Sequence, residues 1–181
     1  VAKAKELLAK AGLPDGFSVT MDVRSVEPDT GVATAIQQTL GQAGIKVEII
    51  PGDGKQKLTK YRARGHDIYY GNWGPDYWDP HSNADTFTTN DDNSDTSTNK
   101  TLVWRNTWTA PELEKEAKAA LFEGDAAKRG AMYQDIQKKF LEASPFVILY
   151  QQTEVAGYRK DVKDFKLGPS FDNNFVWPIS K

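Results

Sequence analysis

Apolar and polar residues alternate along "SVTMDV" (18–23): Val19, Met21 and Val23 fall on one side of an extended chain, Thr20 and Asp22 on the other. This period of two predicts a strand with one buried face. A helical period follows. In "EPDTGVATAIQQTLGQAG", Ala33, Ile36, Leu40 and Ala43 recur at helical spacing behind Asp29 or Thr30 as the cap, and Gly44 ends the helix. "IKVEII" is a second strand, so the three elements form a βαβ unit, which requires a parallel pair and a right-handed crossover. Upstream, "AKELLAKAG" reads as a helix already under way, with Ala4, Leu7, Leu8 and Ala11 on one face and Gly12 suited to a left-handed position past its end. Downstream, "KQKLTKYRARG" predicts a short amphipathic helix that leads into a third strand, "DIYYGNW".

Residues 81–108 read as loop, with "TTNDDNSDTSTNKT" too polar to bury anything. Two helices follow. "TAPE" opens the first, with Thr109 and Glu112 at capping-box spacing, Pro111 in the first turn, and Leu113, Ala117 and Leu121 on the apolar side. The second starts at Asp125 and turns Met132, Ile136 and Phe140 inward. "PFVILY" then predicts a fully buried strand, "TEVAGYR" a hairpin partner or connector, and "FKLGPSFDNNFVWPISK" an irregular, aromatic-rich end. No internal repeat is visible.

A chain of 181 residues with 39% hydrophobic residues can build one well-buried core. Its 23 basic and 25 acidic residues leave a net charge of −2, no field to attract nucleic acid, and no basic cluster interleaved with aromatics. A nucleic-acid partner is therefore not expected. The absence of cysteine removes disulfides, thiolate metal sites and cysteine nucleophiles together. No apolar run approaches the roughly 18–20 residues that span a bilayer. The start, "VAKAKELLAKAG", has neither an initiating methionine nor a signal peptide's apolar segment. A removed leader and a piece of a larger protein both fit, and the helix already under way favours the piece.

Candidate chemistry is sparse. His66 and His81 sit in "GHD" and "DPH" and read as inert loop histidines; no serine lies in a nucleophile elbow, and no glycine-rich phosphate loop is present. In "DDNSDTSTNKTL", Asp91, Asn93 and Asp95 alternate as calcium ligands would, but Thr96 stands where the loop needs glycine and Leu102 where it needs glutamate. "NKT" (99–101) matches a glycosylation acceptor, too short a pattern to carry weight. No catalytic residue, metal ligand or cofactor is expected.

The exception is "GNWGPDYWDP" (71–80). If the βαβ topology continues, it lies just past the carboxyl end of a parallel strand, the edge at which open α/β sheets bind ligands. Trp73 and Trp78 could each plug the core. Beside Asp76 and Asp79, however, they make an aromatic wall next to a carboxylate. That suits a small cationic or zwitterionic ligand, oriented by a charge-assisted hydrogen bond of roughly 1.5–3 kcal/mol. Sugars are served equally well. Pro75 and Pro80 would pin the loop, so that little entropy is lost on binding.

Four stretches, "AKELLAKAGLPDGFSVTM", "AIQQTLGQAGIKVEII", "DIYYGNWGPDYWDP" and "PELEKEAKAAL" through "DAAKRGAMYQDIQKKFLEASPFVILY", resemble in that order the C-terminal half of the family 5 solute-binding proteins, extracytoplasmic receptors of ABC importers. The resemblance implies an α/β, three-layer lobe of the type II periplasmic-binding-protein kind, with a mixed, mainly parallel sheet flanked by helices. Residues 1–160 would form this lobe, and 161–181 a tail that returns to the N-terminal lobe of the full-length protein. It further implies a periplasmic setting, a membrane permease as partner, and capture of short peptides by closure of two lobes, without catalysis. By motif position Asp76 would meet a peptide's α-ammonium group, with Trp73 in the pocket wall and Gly74 and Pro75 offering carbonyls; Asp79 and Pro80 would shape the turn. Relatives with much the same loop take up sugars, haem or nickel complexes, and the additional ring of Trp78 leaves a sugar open. The rivals from other classes are a carbohydrate-active enzyme with Asp76 and Asp79 as paired carboxylates, and a scaffold that binds nothing.

Overall fold

In the computed structural model, which describes residues 1–168 and 175–181, the alternating run near the start becomes the central strand of a parallel sheet. The chain divides into two units, Val1–Asn72 and Trp73–Lys181.

The first unit contains α1 (Ala2–Lys10), β1 (Phe17–Arg24), α2 (Asp29–Gly41), β2 (Ile45–Gly52), α3 (Gly54–Arg62) and β3 (Ile68–Tyr69). Strand order is β2-β1-β3, all parallel, with Phe17 opposite Ile45, Arg24 opposite Gly52 and Met21 opposite Ile68. Met21 and Val23 project from one face of β1 onto Ala33 of α2 and Val47 of β2; Val19, Ile36, Leu40 and Ile49 close this core. The opposite face carries Asp22, completely buried, whose Oδ1 accepts from Lys57 Nζ at 2.9 Å and whose Oδ2 accepts from Lys60 Nζ at 2.6 Å. Both lysines belong to α3, so helices cover the sheet on both sides, as the α/β expectation requires. Burial alone would raise the carboxyl's pKa, but the two lysine hydrogen bonds hold it below its ordinary value. Gly16 and Gly44, which precede β1 and β2, touch: a Cβ on Gly16 would stand 2.0 Å from the Gly44 carbonyl oxygen, and both have positive φ.

Several local expectations change. Helix α2 has Pro28 at its N-cap, and Asp29 is a buried first-turn residue that accepts from Arg24 Nε at 2.7 Å. Strand β3 is only two residues long, extended by a bond from Tyr70 N to the Asp22 carbonyl. In α1 only Leu8 is buried, and Leu7 is exposed; Gly12 does take the left-handed position.

The second unit contains α4 (Pro80–Thr88), α5 (Leu102–Arg105), α6 (Pro111–Leu121) and α7 (Ala126–Ala143). Its core joins Ala84 of α4, Leu113, Ala117 and Ala120 of α6, and Tyr133, Ile136 and Phe140 of α7. Phe87 and Phe146 meet edge to face at 5.3 Å beside it. Asp125 caps α7 by accepting from Lys128 N at 2.7 Å. The capping box at Thr109 does not form: the N-cap is Ala110, with Pro111 at the first helical position. This phasing buries Ala120 and leaves Leu121 exposed.

Residues 81–108 are not all loop. They contain most of α4 and all of α5, and the polar stretch buries Thr88, Thr89, Asn90, Ser97 and Thr101. Burial is tolerated because most of these groups find partners: Thr88 Oγ1 donates to the Ala84 carbonyl, Thr101 Oγ1 to the Thr89 carbonyl, and Asn90 Nδ2 to the Trp108 carbonyl, while Asn90 Oδ1 is left without one among the described residues.

The predicted strand "PFVILY" is absent. Phe146 packs on the core, but Val147, Ile148, Leu149 and Tyr150 are exposed, and no strand among the described residues lies alongside to supply a ladder. "TEVAGYR" forms no hairpin either. Among the described residues, the tail makes isolated antiparallel bridges between Lys163 and Ser180 and between Lys166 and Phe175. Part of the expected 161–181 tail, residues 169–174, lies outside the described residues. No described helix is long and apolar enough to cross a membrane.

Candidate functional site

The segment 73–79 follows β3 in the chain and runs into α4, and its conformation is set by that helix. Asp79 is the N-cap: its Oδ1 accepts from His81 N at 2.8 Å, and Pro80 fills the first helical position, where no N–H is needed. Ser82 Oγ accepts from the backbone N–H of Asp76 at 3.0 Å. Trp73 Nε1 donates to Asn83 Oδ1 at 2.9 Å, and its ring meets Phe87 edge to face at 6.2 Å. Loop residues 73, 76 and 79 are thus tied to helix residues 83, 82 and 81. A bond from Asp79 N to the Tyr77 carbonyl, 2.9 Å, closes a tight three-residue turn centred on Trp78.

The turn projects its aromatic residues outward. Trp78 is 72% exposed and Trp73 37%. Neither is a core plug, although Trp73 rests one edge on Phe87. Gly74 and Pro75 are half-buried and Asp76 is exposed. Among the described residues, no basic group lies within ion-pair distance of the Asp76 carboxylate. Tyr77, half-exposed, has its phenol pushed up by burial and by the carboxylates of Asp85, Asp79 and Asp76.

Asp79 differs sharply from Asp76. Arg129 of α7 grips it with two parallel bonds, Nη1 to Oδ2 at 2.9 Å and Nη2 to Oδ1 at 2.8 Å. The Arg129 bonds, then the His81 N–H, hold the Asp79 pKa at about 2. A carboxylate ionised so firmly, with both oxygens engaged, is a poor proton donor near neutrality, which weakens the paired-carboxylate reading. Its role is to shape the turn. Arg129 also donates through Nε to the Ala120 carbonyl at 3.1 Å and through Nη2 to Tyr133 Oη at 3.3 Å. Tyr133 Oη in turn lies 3.2 Å from His81 Nδ1. His81, expected in a loop, is therefore buried in α4 and built into this network.

The expected residues Trp73, Gly74, Pro75, Asp76 and Trp78 lie together on this one loop. Sequence reasoning missed Ser82, Asn83, Arg129 and Tyr133. The Asp-Pro pair was an available helix-start signal, and Arg129 and Tyr133, four apart, share a face of α7. Hollows among the described residues lie elsewhere. One of about 460 Å³ beside β1 and β2 is lined by Thr20, Gln37, Glu48 and Asp67, and one of about 480 Å³ beside α6 by Asn90, Thr109, Glu114 and Lys118. Neither includes a residue of the loop. The described residues contain no cluster of three or more histidine or acidic side chains that could hold a metal ion.

The chain is similar over 179 residues, at 28% identity, to the di/tripeptide-binding protein 3 of Pseudomonas aeruginosa, covering 96% of this chain and 32% of that protein. It spans about a third of the length of the curated relatives it matches. Among solved structures, the periplasmic binding protein DppA of Helicobacter pylori, in complex with the peptide STSA, aligns at a TM-score of 0.66 and 27% identity over 76% of this chain and 26% of that one. The Agrobacterium tumefaciens R10 protein AgaA, in complex with agropinic acid, aligns at 0.65 and 27% over 78% and 28%. The model of the bacterial extracellular solute-binding proteins, family 5 (middle region), matches residues 1–95, just over half of the sequence, and the chain belongs to that family.

Proposed function

We propose that the chain is the C-terminal lobe of an extracytoplasmic receptor that hands short peptides to the membrane permease of an ABC importer and catalyses nothing. One observation carries this reading: an exposed carboxylate, Asp76, unpaired among the described residues, shares with the exposed Trp73 and Trp78 a loop fastened to a helix. Such a group can bind an ammonium ion because it has no internal cation to surrender first. The peptide-binding relatives and the structural match to DppA support the ligand class. Residues 1–160 form the solute-binding lobe, and 161–181 pass back to the N-terminal lobe. Contacts from both lobes exist only in the closed state, so the ligand shifts the equilibrium toward closure. One lobe alone makes about half of these contacts. It binds at least about a hundredfold more weakly than a two-lobed receptor, a difference of roughly 3 kcal/mol.

The test is titration of the chain with L-alanyl-L-alanine and its N-acetyl derivative, followed by the indole N–H signals of Trp73 and Trp78. Asp76→Asn should weaken the free-amine peptide by roughly tenfold to a hundredfold, the equivalent of a charge-assisted bond, and leave the acetylated one unchanged. Equal affinities for the two peptides in the parent chain would refute the ammonium contact. A second reading, a sugar-like solute stacked on Trp78, is favoured by that ring's exposure. It predicts the reverse sensitivity: Trp78→Ala harmful and Asp76→Asn mild.

A further inference from the structure

We infer that Arg129 is the positioning residue of this loop: by gripping Asp79 it locks the start of α4, and through α4 it fixes where the Asp76 carboxylate and the Trp73 indole stand. The inference rests on the proposed peptide site and deepens it.

Arg129 acts as a hub. Its Nε holds the Ala120 carbonyl in the last turn of α6, its two Nη atoms hold Asp79, and its guanidinium lies 5.0 Å from the ring centre of Tyr133, one turn along α7. Asp79 is both the last residue of the loop and the cap of α4, so a force on Asp79 moves both. Downstream of the cap, His81, Ser82 and Asn83 are consecutive. The last two are the acceptors for Asp76 N and Trp73 Nε1, and His81 is itself held by Tyr133. Three consecutive helical residues occupy nearly one turn. A small rotation of that turn therefore displaces both loop contacts at once, and a geometric error of about 1 Å is enough to spoil a charge-assisted bond. The forked geometry matters: two parallel bonds fix angle as well as distance, which the single point charge of lysine cannot do.

The clamp does not touch the ligand, so its signature is coupling. In the unliganded chain, Arg129→Gln should speed hydrogen exchange of the Trp73 indole N–H at least fivefold while the Ile136 amide, in the α7 core, keeps its protection. Arg129→Lys should restore part of it. Asp79→Asn, which keeps an N-cap oxygen, should resemble Arg129→Gln rather than the parent. With L-alanyl-L-alanine as probe, the loss caused by Asp76→Asn should shrink at least threefold when Arg129 is already glutamine, because a misplaced carboxylate has less to lose. Unchanged Trp73 exchange, exchange that rises in step with Ile136, or fully additive peptide effects would each overturn the inference. If Asp76→Asn has no effect in the parent chain, the peptide reading falls instead, and the exchange arm alone still decides whether Arg129 holds the loop.

Discussion

Lys57 Nζ lies 2.9 Å from Asp22 Oδ1 inside the first unit, where both side chains are almost wholly shielded from water. A second ammonium, from Lys60, reaches the other carboxylate oxygen from a more exposed position. The carboxylate is the shared element: removing it strands a buried cation, whereas removing Lys57 leaves Asp22 still paired with Lys60.

Asp22→Ala should therefore cost about 3–5 kcal/mol of stability, the usual penalty for an orphaned buried charge. Lys57→Met should cost clearly less. Urea unfolding of the two variants measures the contrast, and equal losses would show that Lys60 does not share the carboxylate.

The Asp79 clamp has a pH signature. Its folded-state pKa is depressed from 3.8 to about 2, so the unfolded chain binds more protons between these values and stability rises with pH across that interval. The contribution is complete above about pH 4 and gone near pH 2. For a partly exposed pair it should be on the order of 1 kcal/mol. The stability gap between the parent chain and Asp79→Asn, measured from pH 7 to pH 2, should stay flat and then close in that window.

Ala117 is fully buried between α6 and its neighbours. Ala117→Leu should destabilise by about 1–3 kcal/mol through overpacking, and Ile136→Ala by about 2–5 kcal/mol through a cavity. Thermal unfolding checks both.

The exposed run after Phe146 makes a different prediction. Ile148→Lys should change stability by less than about 0.5 kcal/mol, since the side chain is not packed. It should lower self-association at high concentration, measured by light scattering. A large loss of stability would mean that this segment is packed in solution.

Much of the first unit was legible because its periods are clean. Val19, Met21 and Val23 against Thr20 and Asp22 specify a strand, and the spacing of Ile36 and Leu40 specifies a helix, so the parallel order followed from chain connectivity. The burial of Asp22 was not legible because a period of two marks faces, not partners; its lysines lie far along the chain in α3. Helix α4 was missed because three of its four buried residues, His81, Ser82 and Thr88, are polar, and Ala84 alone makes no apolar stripe. The run Val147–Tyr150 failed in the opposite way: composition signals burial, but burial needs a neighbouring strand that the described residues do not contain. In the loop, Trp73 and Asp76 could be singled out by residue type. Arg129 could not, since only folding brings position 129 to position 79.

Seven residues, from Trp73 to Asp79, are stitched to α4 at three places, and this leaves the loop no slack. Lengthening it by a single residue would throw at least one stitch out of register and turn Trp78 toward a different side. Changes of solvent-facing side chain there are cheap and changes of length are not, so the outer surface of this loop can vary by substitution far more readily than by insertion.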